Sequence, residues 1–375
     1  MKIAVIAQGS IPAQSANSIQ NMKMAQALAS LGNEVRIFAP GRDPNLPWEQ
    51  ISKHYGLEQR LAIQWVPSLA WLRRYDFALS SVNAARAWGA DLIYTRLPQA
   101  AALASRRGVP AIFELHDLPT GTMGPWLIRR FIEGHGARRI IVNTRHLAEA
   151  IKARYALPAD TSFLLVAPNG VDLQRYADLP DPEGARKSLG LADAFTAGYT
   201  GHLYAGRGAE LILEMAKRLP EMNLLFVGGR KDDVQRMREK AHELKNVRIV
   251  GFVPQGEVPL YQAACDVLLM PYGRQVGSSS GADIAAFTNP LKMFEYLASG
   301  RSILASDLPI LGEVLNEKNA IILPGEDLDA WVEALGGLQA SPQRRAELSA
   351  AAKETAGLFS WEKRAALVLQ ASKIS

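Results

Sequence analysis

One cysteine in 375 residues, Cys265 in AACDVLLMPY, excludes an internal disulfide and any cysteine-built zinc cage. Its apolar neighbours read as a packed thiol in a reducing compartment. No apolar run approaches the roughly 18 to 20 residues that span a bilayer, so an integral membrane protein is not expected. The opening MKIAVIAQGS lacks the longer apolar stretch and cleavage site of a signal peptide and reads as a first buried strand. Low-complexity tracts are missing too, and 48% hydrophobic with 21% charged residues describes a chain that folds throughout. Its length suits two domains of ordinary size. The expected location is the cytoplasm, either free or peripheral on the inner face of the membrane.

Charge is unevenly placed. Residues 1–175 hold 20 Lys and Arg against 12 Asp and Glu, whereas residues 176–375 hold 22 against 25. The basic half contains WLRRY (71–75), SRRG (105–108) and PWLIRRFIEGHGARR (125–139), where Trp126, Leu127, Ile128, Phe131 and Ile132 interleave with arginines. Such a segment suits an anionic lipid surface or an acidic acceptor. It equally describes a core-facing helix with solvated arginines, and the two readings stay open. No nucleic-acid partner is expected.

Short apolar runs alternate with amphipathic stretches almost from end to end, the pattern of a doubly wound α/β protein. In the first half, strands are expected at 2–7, 34–40, 91–96, 110–116 and 139–144, with a helix over 18–32. The Pro-, Gly- and Asp-rich VAPNGVDLQRYADLPDPEGARKSLG (166–190) reads as the crossing into a second unit. There, strands are expected at 196–201, 223–229, 247–253, 266–272, 302–306 and 320–324, with a last helix over 360–374. Two Rossmann-like domains facing across a cleft follow: residues 1–170, which the 360–375 helix rejoins, and residues 171–359.

In open parallel sheets, ligands sit beyond the C-terminal strand ends, where helix N-termini supply amide donors and positive dipole. That rule selects two loops. GRQVGSSSGADIAAFT (273–288) leads into NPLKMFEYLASG (289–300), a helix expected to have Asn289 as N-cap, Pro290 in its first turn and Gly300 as its stop. A phosphate on the amides near Leu291 and Lys292 would put Glu295, one turn on, within reach of an attached sugar hydroxyl. On the wheel alone Glu295 shares a face with Lys292, Tyr296 and Ser299, opposite the apolar arc, and is an ordinary solvated acid. YTGHLYAGRGAEL (199–211) is the second loop, with glycines at 201, 206 and 208 beside His202 and Arg207; a forked guanidinium suits phosphate. A surface turn would look much the same.

NGVD (169–172), GHLYAGRG (201–208), GFVPQGEVPLYQAACDVLLMPY (251–272) and NPLKMFEYLASGRSILASD (289–307) occur in an order that resembles glycosyltransferase family 4, a GT-B family of retaining enzymes. SWEKRA near the end fits as well, and the first half matches more thinly through SIQNMKMAQALASLGNEV (18–35), YTR (94–96) and FELHDLP (113–119). The resemblance implies an N-terminal acceptor domain and a C-terminal domain for a nucleotide-sugar donor, UDP-linked by default, with a glycan or lipid-linked acceptor. It implies that Glu295 binds the donor ribose, that Arg207 matches the family lysine on the diphosphate, and that His202 matches the family arginine. The His202 exchange would either weaken donor affinity or make it depend on pH near neutrality. Main chain at Val253 and Pro254 would hold the base edge, Arg230 would flank the base, and Gly9 would let the other domain approach the diphosphate. His116 in ELHD matches a family histidine beside the donor sugar, although a lone histidine after a strand is more often a structural hydrogen bonder. Asp117 either orients that ring or caps the next turn.

The family pattern has two glutamates separated by seven residues, and the partner position of Glu295 is Phe287. Asp283 is the nearest carboxylate in the same loop and the candidate to stand in, although a loop aspartate without that role is the more ordinary reading. The implied reaction is a same-face displacement in which the departing phosphate accepts the acceptor's proton. No cofactor or metal is expected, since neither loop holds a DxD-like pair or a His/carboxylate cluster. A nicotinamide-dependent dehydrogenase is disfavoured because AQGSIPAQS (7–15) has no GxGxxG and EVRIFAP ends without an acid. A non-catalytic sugar-nucleotide binder of the same fold remains the alternative.

Overall fold

The computed structural model describes residues 1–157, 162–275, 277 and 286–370. Thirteen strands are described, in two sheets. The first holds β1 (Lys2–Ile6), β2 (Glu34–Pro40), β3 (Ala62–Val66), β4 (Leu92–Thr95), β5 (Ala111–Leu115), β6 (Ala137–Val142) and β7 (Leu164–Val166). All are parallel, in the order β3-β2-β1-β4-β5-β6-β7. The second holds β8 (Thr196–Thr200), β9 (Asn223–Val227), β10 (Val247–Gly251), β11 (Val267–Met270), β12 (Ser302–Ser306) and β13 (Ile321–Leu323), again parallel, in the order β10-β9-β8-β11-β12-β13.

Parallel sheets carry helices on both faces, so their central strands read as unbroken apolar runs. β4, β5, β8, β11 and β12 are buried along their whole length. These runs are the reason the sequence signals the strands so clearly. β3 and β7 were not expected. β3 is an edge strand whose residues alternate between exposed and covered, and β7 has three residues, too few for a pattern to register.

The chain divides into two compact units, Met1–Asn169 together with Trp361–Ser375, and Gly170–Ser360. In each sheet the strand order reverses once, between β1 and β4 and between β8 and β11. The loops leaving those strands therefore diverge and leave room at the C-terminal sheet edge.

The described part of the last helix, Trp361–Gln370, packs on the Ala16–Ser30 helix of the first unit; residues 371–375 lie outside the described ones. Arg364 fixes it there. Its guanidinium donates to Glu114 Oε1 at 2.9 Å, to the Tyr94 hydroxyl at 3.2 Å, to Met24 Sδ at 3.2 Å and to the carbonyls of Pro168 and Ala167 at 2.9 and 3.3 Å. Glu114 is 1% exposed and Arg364 4%. Removing one member of a buried ion pair leaves an uncompensated charge and typically costs about 3–5 kcal/mol. Arg364→Met should lower the unfolding free energy by about that amount. Urea denaturation measures it, and a loss below about 1 kcal/mol would show that the pair does not anchor the last helix.

Candidate functional site

In the second unit, the reversal between β8 and β11 brings together the two loops singled out in the sequence. Gly273 N–H donates to the Gly206 carbonyl at 2.9 Å, and Gly277 N–H to that of Ala205 at 3.0 Å. Gly208 has φ +78°, and a Cβ there would lie 2.0 Å from the Pro271 carbonyl oxygen, so only glycine lets the loops pack this closely.

Aromatic rings organise the charged groups. Tyr204 stacks on the His202 ring, centroids 4.8 Å apart and planes within 12°. The guanidinium carbons of Arg207 and Arg230 lie 5.4 and 5.2 Å from the same Tyr204 ring. Arg207 also lies over Tyr272 at 5.6 Å, donates to its hydroxyl at 3.4 Å, and reaches the Gly277 carbonyl through Nε and Nη2 at 3.3 and 3.2 Å. His202 and Arg207 of one loop and Arg230 from the end of β9 thus converge on one ring. Tyr204 was not singled out in the sequence, although it stands in the quoted loop between two of these residues.

The Leu291–Ser299 helix differs from the wheel reading. Its cap is Pro290 rather than Asn289, and no side chain among the described residues caps the first turn. Only Leu291 and Glu295 of the helix are half-buried; Lys292, Tyr296 and Ser299 are buried, not solvated. Their polar atoms explain how. The Tyr296 hydroxyl accepts from Thr200 N–H at 2.8 Å and lies 3.4 Å from the Leu269 carbonyl, tying the helix to the ends of β8 and β11. Ser299 donates back to the Tyr296 carbonyl at 2.7 Å.

Glu295 is not an isolated surface acid. Its Oε1 accepts from Gln255 Nε2, and the Gln255 carbonyl in turn accepts from Arg175. Gln255 follows directly on Val253 and Pro254, so the loop expected to hold a base edge is tied to the carboxylate expected to hold a ribose. The Pro254 carbonyl accepts from Glu257 N–H at 2.9 Å, which leaves it one lone pair. Phe287 is half-buried in the turn before the helix, and Asp283 lies outside the described residues.

The remaining two expected residues, Gly9 and His116, belong to the first unit. Gly9 follows β1, and a Cβ added there meets nothing within 4 Å, so no neighbour in the unit requires glycine. His116 follows β5. Its Nε2 pairs with Glu114 Oε1, which makes Glu114, not Asp117, the residue that orients the ring. Glu114 also accepts from Gln20, whose own oxygen takes an N–H of Arg96 at 2.8 Å.

Burial, then the positive charge of Arg96, pushes the His116 pKa down to about 4 against the pull of Glu114. Burial alone would raise Glu114, but Arg364 and then His116 outweigh it and hold the carboxyl below its ordinary value. At neutral pH the imidazole is therefore uncharged, with Nε2–H donated to a carboxylate and the Nδ1 lone pair left as an acceptor. Glu114 and Arg364 were missed in the sequence. A signal for Glu114 existed, since an acid inside the apolar run AIFEL must be paired.

Burial pushes the Cys265 thiol up to about 12, so it is no nucleophile at neutral pH. Among the described residues, no group of three His, Cys, Asp or Glu is placed to hold a metal ion, and no helix is long and apolar enough to cross a membrane. The Met123–Ile132 helix buries Leu127, Ile128 and Phe131, and leaves Trp126 46% exposed with Arg130 stacked on it at 5.3 Å. Trp71 is 76% exposed.

Comparison with known proteins places these features in a context. Residues 20–175 match the family described as Glycosyltransferase Family 4, and residues 194–341 match Glycosyl transferases group 1. A GDP-mannose-dependent alpha-(1-6)-phosphatidylinositol monomannoside mannosyltransferase of Mycolicibacterium smegmatis is 29% identical over 205 residues, 52% of each chain. The phosphatidyl-myo-inositol mannosyltransferase of the same organism is 24% identical over 364 residues, covering 93% of this chain and 87% of its own. The chain spans about half the length of the first curated relatives it matches. In fold it is similar to an Anabaena protein crystallised with UDP and glucose, with a TM-score of 0.74 at 19% identity, covering 99% of this chain and 98% of that one.

The low pKa of His116 sets a pH dependence. The unfolded chain binds a proton at this residue as pH falls through about 6.5, the folded chain only near 4, so stability is lost as pH drops through that window. Glu114, whose folded pKa is lowered, adds a loss of the same sign at still lower pH. The stability difference between pH 7 and pH 4.5 should be smaller in His116→Gln by on the order of 2–3 kcal/mol. An identical pH dependence in the two proteins, followed by thermal unfolding, would remove His116 from this account.

Proposed function

The chain belongs to glycosyltransferase family 4, and on that premise we propose that it moves a sugar from a nucleoside-diphosphate sugar to a lipid-linked or glycan acceptor, retaining the anomeric configuration and needing no metal. The observation that carries this reading is the β8/β11 edge. Arg207 and Arg230 gather on Tyr204 there, and the Leu291–Ser299 helix, whose first turn no side chain among the described residues caps, has Glu295 one turn inside it. Such a set matches a diphosphate followed by a ribose: amide donors and guanidinium for the phosphates, a carboxylate for vicinal hydroxyls.

In the proposed step the bond between the anomeric carbon and the diphosphate oxygen breaks while the acceptor oxygen bonds to the same face of that carbon. The acceptor's proton passes to the departing phosphate. Arg207 and the helix amides stabilise the charge that grows on the leaving group. His116, uncharged above about pH 4, serves as a hydrogen-bond acceptor through Nδ1 and not as a proton carrier. The relatives' printed names support a mannose donor and an inositol-lipid acceptor, and the Anabaena complex is with UDP, so both GDP- and UDP-sugars are donor candidates. The outward Trp126, Arg129 and Arg130 support docking on an anionic membrane, where each basic residue contributes about 1 kcal/mol.

A thermal-shift panel of UDP-, GDP- and ADP-sugars should show stabilisation by at least one of them, and none by any would sink the proposal. With that donor, Arg207→Ala should cut kcat by about a hundredfold or more, the loss usual for one leaving-group donor. Binding without either transfer or slow donor hydrolysis would favour the non-catalytic alternative, for which Phe287 in place of an acid is the supporting feature. On the membrane side, the Arg129→Ala, Arg130→Ala double variant should bind phosphatidylglycerol vesicles about thirtyfold more weakly than the parent protein in sedimentation. Equal sedimentation would remove this face from the membrane reading.

A further inference from the structure

Lys292 is the second residue of the Leu291–Ser299 helix, 7% exposed, and its Nζ has no hydrogen-bond partner among the described residues. The head group lies 3.5 Å from the centroid of the Tyr199 ring and 5.0 Å from that of Tyr272, and 3.7 Å from where a Cβ on Gly201 would sit. Gly201 is exposed and opens the loop that carries His202 and Arg207. The lysine therefore reaches from inside the helix to the floor of that loop, between two aromatic faces. Arg186, the other buried cation of the second unit among the described residues, meets Asp193 and Asp266 at 2.9 and 3.1 Å.

A buried ammonium without a hydrogen-bond acceptor is costly, and aromatic faces compensate it only in part. We propose that the Lys292 side chain is itself a ligand of the donor's phosphates, its head group held between Tyr199 and Tyr272 beneath Gly201. The idea rests on the donor reading above and extends it from the helix amides to a side chain. The groups facing the amine are Tyr199 at the end of β8, Tyr272 after β11, Arg207 in the adjoining loop, and Glu295 on its own helix. Burial and then Arg207 hold the Lys292 pKa well below the ordinary lysine value, with Glu295 opposing. A phosphate reverses that balance by supplying the missing anion and acceptor.

The test uses the full chain with UDP-glucose and GDP-mannose, whose diphosphates do not titrate near neutrality, and with uridine and guanosine, which have no phosphate. Lys292→Met should bind the preferred nucleotide sugar about ten- to a hundredfold more weakly while its nucleoside affinity stays within about twofold. Unchanged nucleotide-sugar affinity, or an equal loss for nucleoside and nucleotide sugar, would overturn the inference. Should that variant not fold, Lys292→Gln is measured in the same way, and unchanged nucleotide-sugar affinity in it would overturn the inference equally. If neither nucleotide sugar binds the wild type, the donor reading itself falls, an outcome distinct from binding that ignores Lys292.

Discussion

A carboxylate in the middle of a parallel sheet has to be neutralised by whatever the fold can bring to it, and Glu114 on β5 sets that requirement for the first unit. Three side chains from separate places converge on its Oε1: Gln20 from the Ala16–Ser30 helix, His116 two residues on, and Arg364 from the last described helix, 250 positions away. Isolated, the buried charge would cost several kcal/mol. Met by one guanidinium and two neutral donors, it stays ionised. Its demand explains both why the chain returns to its first unit at the C-terminus and why the His116 ring points one way.

The same pairing determines what His116 can do. A histidine beside an ionised acid would ordinarily become more basic, yet this one is less so, because burial and Arg96 outweigh Glu114. Glu114 is already claimed by Arg364 at 2.9 Å, so little of its field is left for the imidazole. The consequence is a ring fixed in one tautomer, a suitable acceptor for a sugar hydroxyl and a poor proton carrier at neutral pH. Structure and chemistry here share one arrangement.

The strands of both sheet centres were legible because burial on both faces writes an unbroken apolar run, as in KIAVI or SILAS. The two loops were found by the rule that ligands sit beyond the C-terminal ends of parallel strands. What periodicity could not show was polar burial. Lys292, Tyr296 and Ser299 fall opposite the apolar arc of their helix, and a wheel cannot tell a solvated face from one whose hydroxyl is bonded to Thr200 N–H. Nor could it pair Arg364 with Glu114, because such pairing is a property of three-dimensional closeness. The cap at Pro290 in place of Asn289 has a similar origin: Asn289 is buried, which a sequence pattern does not register.

Cations are met in two different ways in this chain, and the difference does not follow the division into units. Arg364 and Arg186 are answered by carboxylates of the chain itself. At the β8/β11 edge, Arg207 has a backbone carbonyl and two tyrosine rings, Arg230 has one ring, and Lys292 has two. Aromatic faces and carbonyls are weaker partners than a carboxylate, so a polyanion can replace them without first breaking an ion pair. Glu295, one turn inside the helix, accepts from Gln255 in the loop that follows Val253 and Pro254. On the proposed reading the cations meet the negative end of the donor and this carboxylate meets its hydroxyls.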